Sequence, residues 1–406
     1  MLLKKLNIPH HNGTAYFLVI SILFVSARSS LLAIHHYTLI FIFLFTLLTF
    51  LNLNIKLTST IKWLLVLYVV SISYYLLDFG WVNLELSIRM LMIILIGYMT
   101  ARILGYSFFL IYEKVLYSLV LISLILFPIQ LLYFPLLTNI LKTITAEIPF
   151  HYYSDQMLSI IIWGIDIGGA EMRNSGFAWE PKAFANFIIL GILINLINNK
   201  FKLNKRILVY YIALITTFST VGYLIGFVLI PLFWLINKEL KHIIILIPIV
   251  FLIAFYIIQL DFVGDKILKE WNLRYNYTKM LNDSRYFETG SRSLGRTPSL
   301  MLDLSDFSKK PLFGYGMQKS ERSQNPYVSL IRVNGFSDWL ASFGLVGFFL
   351  LIMGILKTWK IYLKYNDLKG VIIILLIFFN IYFATTLTIH PFWMVLLFLF
   401  DSKKQK

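Results

Sequence analysis

The chain has 406 residues, 59% of them hydrophobic and only 14% charged, with no cysteine and a formal net charge of +16. A soluble domain is about half apolar and a quarter charged, so this composition marks a polytopic integral membrane protein. Without cysteine there are no disulfides, thiolate metal centres or thiol nucleophiles. The positive charge is spread between apolar runs instead of being gathered on a soluble domain, which argues against a nucleic-acid partner.

A membrane span takes roughly 20 apolar residues. Twelve are predicted, at about 14–33, 36–53, 61–78, 86–103, 115–135, 183–199, 206–220, 221–237, 242–260, 336–356, 370–387 and 389–401. The first begins after Lys4 and Lys5 and reaches Val25-Ser26-Ala27 like a secretory signal, but the spans that follow favour an uncleaved helix. Arg89 is the one plain charge well inside a span. If the N-terminus is cytoplasmic, nineteen Lys and Arg fall on that side and only Arg28 on the short segments opposite. That asymmetry predicts an even number of spans with both termini in the cytoplasm. The whole chain, 1–406, reads as a single all-α membrane domain.

Two long segments fall on the outer side. The first, about 136–182, carries an amphipathic stripe of Leu136, Leu137, Ile140, Leu141, Ile144 and Ile148 at helical spacing, then an apolar run from Met157 to Trp163. Both are expected to lie along the membrane face. The second, about 261–335, holds twelve Lys or Arg against eight Asp or Glu. Long loops are largely exempt from the charge rule that orients spans, so this basic character needs another reason.

Several chemistries are missing. There is no phosphate loop, no His-Glu-x-x-His helix and no Asp-x-Asp pair, and the seven His lack metal-ligand spacing, so no metal and no cofactor is expected. What remains is arginine on the outer face, a fixed planar fork of donors suited to phosphate oxygens. The second loop offers Arg274, Arg285, Arg292, Arg296, Arg322 and Arg332, and the first offers Arg173. Either these pair with the loop's own acids, or two or three of them hold a pyrophosphate whose lipid tail lies in the bilayer.

The stretch Met172 to Phe187 is polar and runs straight into an apolar helix, with Pro181 suited to its first turn. Glu180 within it either acts on a substrate or pairs with Arg173 or Lys182. Ser219-Thr220-Val221-Gly222-Tyr223 lies between two short spans and is a candidate broken helix lining a cavity. Gly314 and Gly316 form a turn that allows close approach. Asp338 either caps the helix after the loop or presents a carboxylate at the interface.

Taken in order, four pieces carry a likeness. They are Arg173-x-x-Gly176-x-x-x-Glu180-Pro181, then Phe218-Ser219-Thr220-x-Gly222-Tyr223, then Gly295-Arg296 followed after fourteen residues by Pro311-Leu312-Phe313-Gly314-Tyr315-Gly316, and last Asn334 with Gly344-x-x-Gly347. The chain resembles the O-antigen polymerase and ligase superfamily, the Wzy-type membrane glycosyltransferases of bacterial surface polysaccharides, over about 170–350 in pattern and throughout in hydropathy. Ligases of that superfamily place a His just before the Asn position, and here that place is Val333. The departure favours polymerase.

The resemblance implies transfer of a growing glycan from undecaprenyl pyrophosphate onto a second lipid-linked repeat unit, in the bacterial inner membrane, with the active site on the outer face. Its products would be O-antigen, capsule or exopolysaccharide. Its partners would be the lipid-linked donor and acceptor, membrane lipid, a chain-length regulator and a flippase. In this frame Arg173, Arg292 and Arg296 bind pyrophosphate. Glu180, and after it Asp338, orients or deprotonates the acceptor. Gly176, Ser219, Thr220, Tyr223, Gly314, Gly316 and Asn334 shape the supporting loops and turns. The alternatives are a ligase that attaches finished glycan to lipid A core or protein, and a transporter or flippase of lipid-linked oligosaccharide. Transporters usually carry internal repeats and midplane charge, which this sequence does not clearly show.

Overall fold

A computed structural model describes residues 12–27, 36–146, 157–160, 162–166, 172–199, 202–220, 222–223, 225–226, 229, 291–293, 296–323, 329–332, 334–363 and 390–404. These are mostly helical: α1 (Asn12–Ser26), α2 (His36–Asn52), α3 (Ser59–Phe79), α4 (Leu84–Leu104), α5 (Ser107–Ala146), α6 (Pro181–Asn198), α7 (Lys205–Thr216), α8 (Arg296–Lys309), α9 (Gly335–Leu363) and α10 (Pro391–Phe398). Five of them, α3, α4, α5, α6 and α9, are long and apolar enough to cross a membrane, and α1, α2 and α10 are shorter apolar helices. The chain is therefore an all-α membrane protein in its described part. The predicted spans at 242–260 and 370–387, and most of 221–237, lie outside the described residues.

Local chemistry sets the helix ends. The Asn83 side chain accepts from the Leu86 amide at 3.1 Å and caps α4, and Asn204 does the same for Ile207 at the start of α7. Pro181 occupies the first turn of α6, as its missing N–H allows. Gly80 closes α3 with φ 73°.

In the first long loop the structure describes both apolar stretches in part. The stripe after residue 136 follows a break in α5: Tyr133, two residues before Pro135, has non-helical backbone (φ −123°, ψ 30°) that divides the helix into two segments. Proline withholds a backbone donor and crowds the preceding turn, which interrupts the helix there. The described part of the run from Met157 to Trp163 is not helical. It enters an antiparallel hairpin of β1 (Met157–Ile160) and β2 (Trp163–Asp166). Trp163 and Ile165 point to one face, two residues apart, and bury themselves with Leu141 of α5. A short apolar run carries no periodicity that separates strand from helix. The stripe is thus shared: Leu141 faces the hairpin, while Leu136 and Ile140 stay exposed.

The centre of the bundle is α6. Every residue from Ala183 to Leu196 is buried, as expected of a helix apolar all round. α4 and α10 pack closely: a Cβ on Gly97 would come within 2.4 Å of Met394 Cβ. α3 is peripheral, with Trp63, Val69 and Leu77 exposed along it.

One end of the bundle is polar and mostly basic. There the buried Arg102 donates to Asp401 O at 2.6 Å, and Glu113 accepts from Arg206 at 2.7 Å and from Asn195 at 2.9 Å. At the other end α1 closes while α6 and α10 open. The Trp179 amide donates to Ala27 O at 3.0 Å and the Phe392 amide to Ser26 Oγ at 2.9 Å.

Candidate functional site

The stretch around Arg173 is held by backbone bonds to several elements at once. The Asn174 amide donates to Thr216 O at 3.0 Å and its side chain to Thr216 Oγ1 at 2.9 Å. The same side chain accepts from the Gly176 amide at 3.0 Å. Gly176 O in turn accepts from Gly164 of the hairpin at 2.7 Å. Gly176 has φ 51°, and a Cβ there would sit 2.6 Å from the Phe184 ring, so both conformation and space demand glycine. Arg173 follows from this frame: its carbonyl lies 3.5 Å from Gln130 Nε2 and its side chain is half-buried.

Glu180 takes an extended conformation at the N-cap of α6, but its carboxylate makes no capping bond. Its ion pair is with Lys182, at 4.0 Å and with the Glu180 side chain 40% exposed. A long, wet pair of this kind contributes little stability, so the carboxylate is not spent on holding the loop. Beside it, Trp179 stacks on the buried His390 ring at 5.2 Å between centroids and 13° between planes. His390 precedes Pro391 at the head of α10, and sequence spacing gave no reason to place it next to Trp179.

The break expected at Ser219 to Tyr223 is present. α7 stops at Thr216, Phe218 turns with φ 45°, and a new turn starts at Ser219, whose Oγ accepts from the Gly222 amide at 3.2 Å. Thr216, at the edge of this break, is the residue that Asn174 grips. Two of the four sequence pieces, around Arg173 and around Ser219, are therefore neighbours.

The other two pieces interlock as well. α9 breaks at Gly344 (φ 60°, ψ −161°), and the turn at Pro311 to Gly316 fits into the break. The amides of Tyr315 and Gly316 donate to Ala341 O and Ser342 O at 3.0 and 2.6 Å. The amides of Leu345 and Val346 donate back to Pro311 O and Leu312 O at 2.8 and 3.2 Å. A Cβ on Gly314 would lie 2.4 Å from Ala341 O, and one on Gly344 would lie 2.3 Å from Leu312 O. The glycines of these motifs pay for close backbone approach between turn and helix.

Asp338 caps nothing. Asn334 caps α9 instead, its Oδ1 accepting from the Ser337 amide at 3.3 Å and its carbonyl from the Asp338 amide at 2.9 Å. The Asp338 carboxylate accepts from Arg322 Nη1 at 2.6 Å. Arg322 also donates to Asp303 at 2.6 Å, and Arg332 donates to both Asp303 and Asp306 at 2.6 Å. Ser337 Oγ donates to the second oxygen of Asp303 at 2.5 Å. All five charged side chains of this network are buried. Burial pulls the Arg322 guanidinium down, yet the adjacent Asp338 and Asp303 outweigh it and hold it above its ordinary value. Burial pushes the Asp303 carboxyl up, against the pull of Arg322 and Arg332 and with help from Asp338.

Arg322 and Arg332 are thus committed to the loop's own acids, and neither guanidinium is available for a phosphate as it stands. The sequence signal for this network was Asp303 and Asp306, three apart on one helix face, with Arg322 and Arg332 following in the same loop. Arg292 lies in a three-residue strand, β3 (Ser291–Ser293), paired in parallel with β4 (Ser329–Ile331), so its backbone stands beside Leu330. Arg296 opens α8. The side chains of Arg292 and Arg296 are outside the described residues, and so is the expected meeting of these arginines with Arg173.

Comparison with known proteins finds no matching family model, no matching curated protein and no matching solved structure.

Proposed function

We propose that the chain is a membrane glycosyltransferase that polymerises undecaprenyl-pyrophosphate-linked repeat units into a bacterial surface polysaccharide. The observation that carries this reading is the pairing of the four motif segments. The Arg173 segment is bonded through Asn174 to Thr216 at the edge of the break at Ser219, and the turn at Gly314 and Gly316 is locked into the break of α9 below Asn334. Residues distant in sequence are spent on shaping two broken helices, and non-helical backbone at such depth is tolerated only against protein or a water-filled cavity.

In this reading the chain has twelve spans in the bacterial inner membrane, both termini in the cytoplasm, and its site on the outer face, where nucleotide sugars and ATP are absent. The anomeric carbon of the donor glycan loses its bond to the pyrophosphate oxygen, which leaves with the electron pair. The same carbon bonds to an acceptor hydroxyl, whose proton passes to a carboxylate. Arg173, Arg292 and Arg296 stabilise the charge that grows on the leaving pyrophosphate. Glu180, with its carboxylate free of any capping bond and part-exposed, orients the acceptor hydroxyl or takes its proton. Asp338 moves from acceptor chemistry to positioning, since its carboxylate is bound to Arg322. Val333 in place of the ligase His favours chain growth over attachment to lipid A core or protein.

The test is polymer length in a deletion strain carrying each variant at matched membrane abundance. Arg173→Ala and Arg296→Ala should collapse the ladder of chain lengths to single repeats, with about 100-fold or greater loss of turnover on purified lipid-linked units, as for loss of a preorganised charge donor. Normal long chains from both variants would remove the pyrophosphate assignment. Single repeats still attached to their final acceptor identify a polymerase; long chains left unattached identify a ligase.

A further inference from the structure

A cavity of about 190 Å³ opens between α3, α4, α9 and α10, away from Arg173 and Glu180. Thr60 to Tyr75 of α3 and Trp339 to Lys357 of α9 line it from end to end. At about 1.5 Å per residue along the unbroken α3 it is roughly 22 Å long, most of a hydrocarbon core of about 30 Å. Its walls are apolar side chains such as Leu64, Leu67, Leu350 and Met353. An alkyl chain fits such a groove lengthwise.

The two ends differ in charge, and that difference selects the occupant. At the end near the interlocked turn, Tyr75 has donated its hydroxyl to Phe313 O at 2.7 Å, and the nearby Lys310 is ion-paired with Asp78. Among the described residues at that end, no unpaired positive charge lines the cavity to hold an anion. At the opposite end Lys357 lines the cavity with its ammonium 5.4 Å above the Phe400 ring. Among the described residues it has no carboxylate partner, and it is exposed. Lys62 and Lys360, also exposed, sit two and three residues along α3 and α9 from the cavity-lining Thr60 and Lys357. A lipid whose head group lay at the turn end, as the tail of the proposed substrate would require, meets no complementary charge there. An anionic head group at the lysine end meets complementary charge.

We propose that this groove is a binding site for an anionic phospholipid, its phosphate at Lys357 and one acyl chain between α3 and α9. The lipid would brace α3, the peripheral helix, against α9 and α10.

The experiment is native mass spectrometry of the full chain in mild detergent, titrated with phosphatidylglycerol or phosphatidylcholine of the same acyl chains. The wild type should bind phosphatidylglycerol about fivefold more tightly. Lys357→Gln should remove that preference and leave phosphatidylcholine binding unchanged. Leu67→Trp, which fills the groove, should weaken both; Leu350→Trp serves if Leu67→Trp does not fold. Equal binding of the two lipids, a preference that survives Lys357→Gln, or lipid binding indifferent to both tryptophan variants would overturn the proposal. So would one-for-one displacement of phosphatidylglycerol by undecaprenyl phosphate, which would give the groove to the carrier lipid. Polymer length is not read in this experiment, so its outcome stands apart from that of the proposed function.

Discussion

The arginines of this protein divide into two kinds. Arg322 and Arg332 are buried and ion-paired with Asp303, Asp306 and Asp338, while Arg173 is half-buried on a segment clamped by its neighbours. Removing one member of a buried ionic network leaves its partners charged and unpaired, which typically costs about 3–5 kcal/mol. Arg322→Ala should therefore lower the unfolding temperature in detergent and the folded yield, as read by thermal unfolding and gel filtration. Arg173→Ala should leave both near wild type while activity falls. If Arg173→Ala instead unfolds the protein and Arg322→Ala is silent, the division is wrong. Glu180→Gln keeps size and loses only charge, so it should reduce turnover without moving the unfolding temperature.

At the scale of elements, the join between the Pro311 to Gly316 turn and the broken α9 decides where Asn334 and Asp338 sit. Gly344 occupies a region of backbone space that is essentially reserved for glycine, where other residues cost about 1–3 kcal/mol before any clash. Leu312 O would also lie 2.3 Å from its Cβ. Gly344→Ala should destabilise the protein clearly more than Gly80→Ala, because nothing lies within 4 Å of a Cβ on Gly80; paired unfolding curves give the comparison. The α8–α9 network adds a pH dependence. Three carboxylates face two guanidiniums, and the Asp303 carboxyl is held above its ordinary value. The folded protein therefore binds that proton more tightly than the unfolded chain does. The stability from this group is present below the ordinary carboxylate range and declines as pH rises through the raised value. Asp303→Asn cannot titrate, so the difference in unfolding temperature between it and wild type should vary over that window and level off above it.

For the whole molecule, the question is which end faces the cytoplasm. The chain carries no cysteine, so single cysteines report position directly. Glu321→Cys, exposed near the interlocked turn, should react with an impermeant maleimide in intact spheroplasts. Lys202→Cys, exposed beside the start of α7, should react only after permeabilisation. The reverse pattern would invert the proposed topology and put the site among cytoplasmic substrates.

The sequence by itself determined the class of protein and most helix positions, because apolar runs of spanning length, prolines in first turns and asparagine caps act locally. α3, α4, α6 and α9 lie within a few residues of their predicted spans. It also marked Gly176, Gly314, Gly344 and the break at Ser219, since glycine and serine at a helix break leave a local trace. Tertiary structure alone decided three other things. It turned Met157 to Trp163 into a hairpin, because burial against Leu141 chose strand over helix where the run had no period of its own. It drew Arg322, Arg332 and Asp338 into one buried network, because opposite charges up to 29 residues apart (Asp303 to Arg332) neutralise one another only where folding brings them together. And it placed Trp179 against His390, more than 200 residues away in the chain (179 to 390), a contact that follows from helix packing and from no pattern along the sequence.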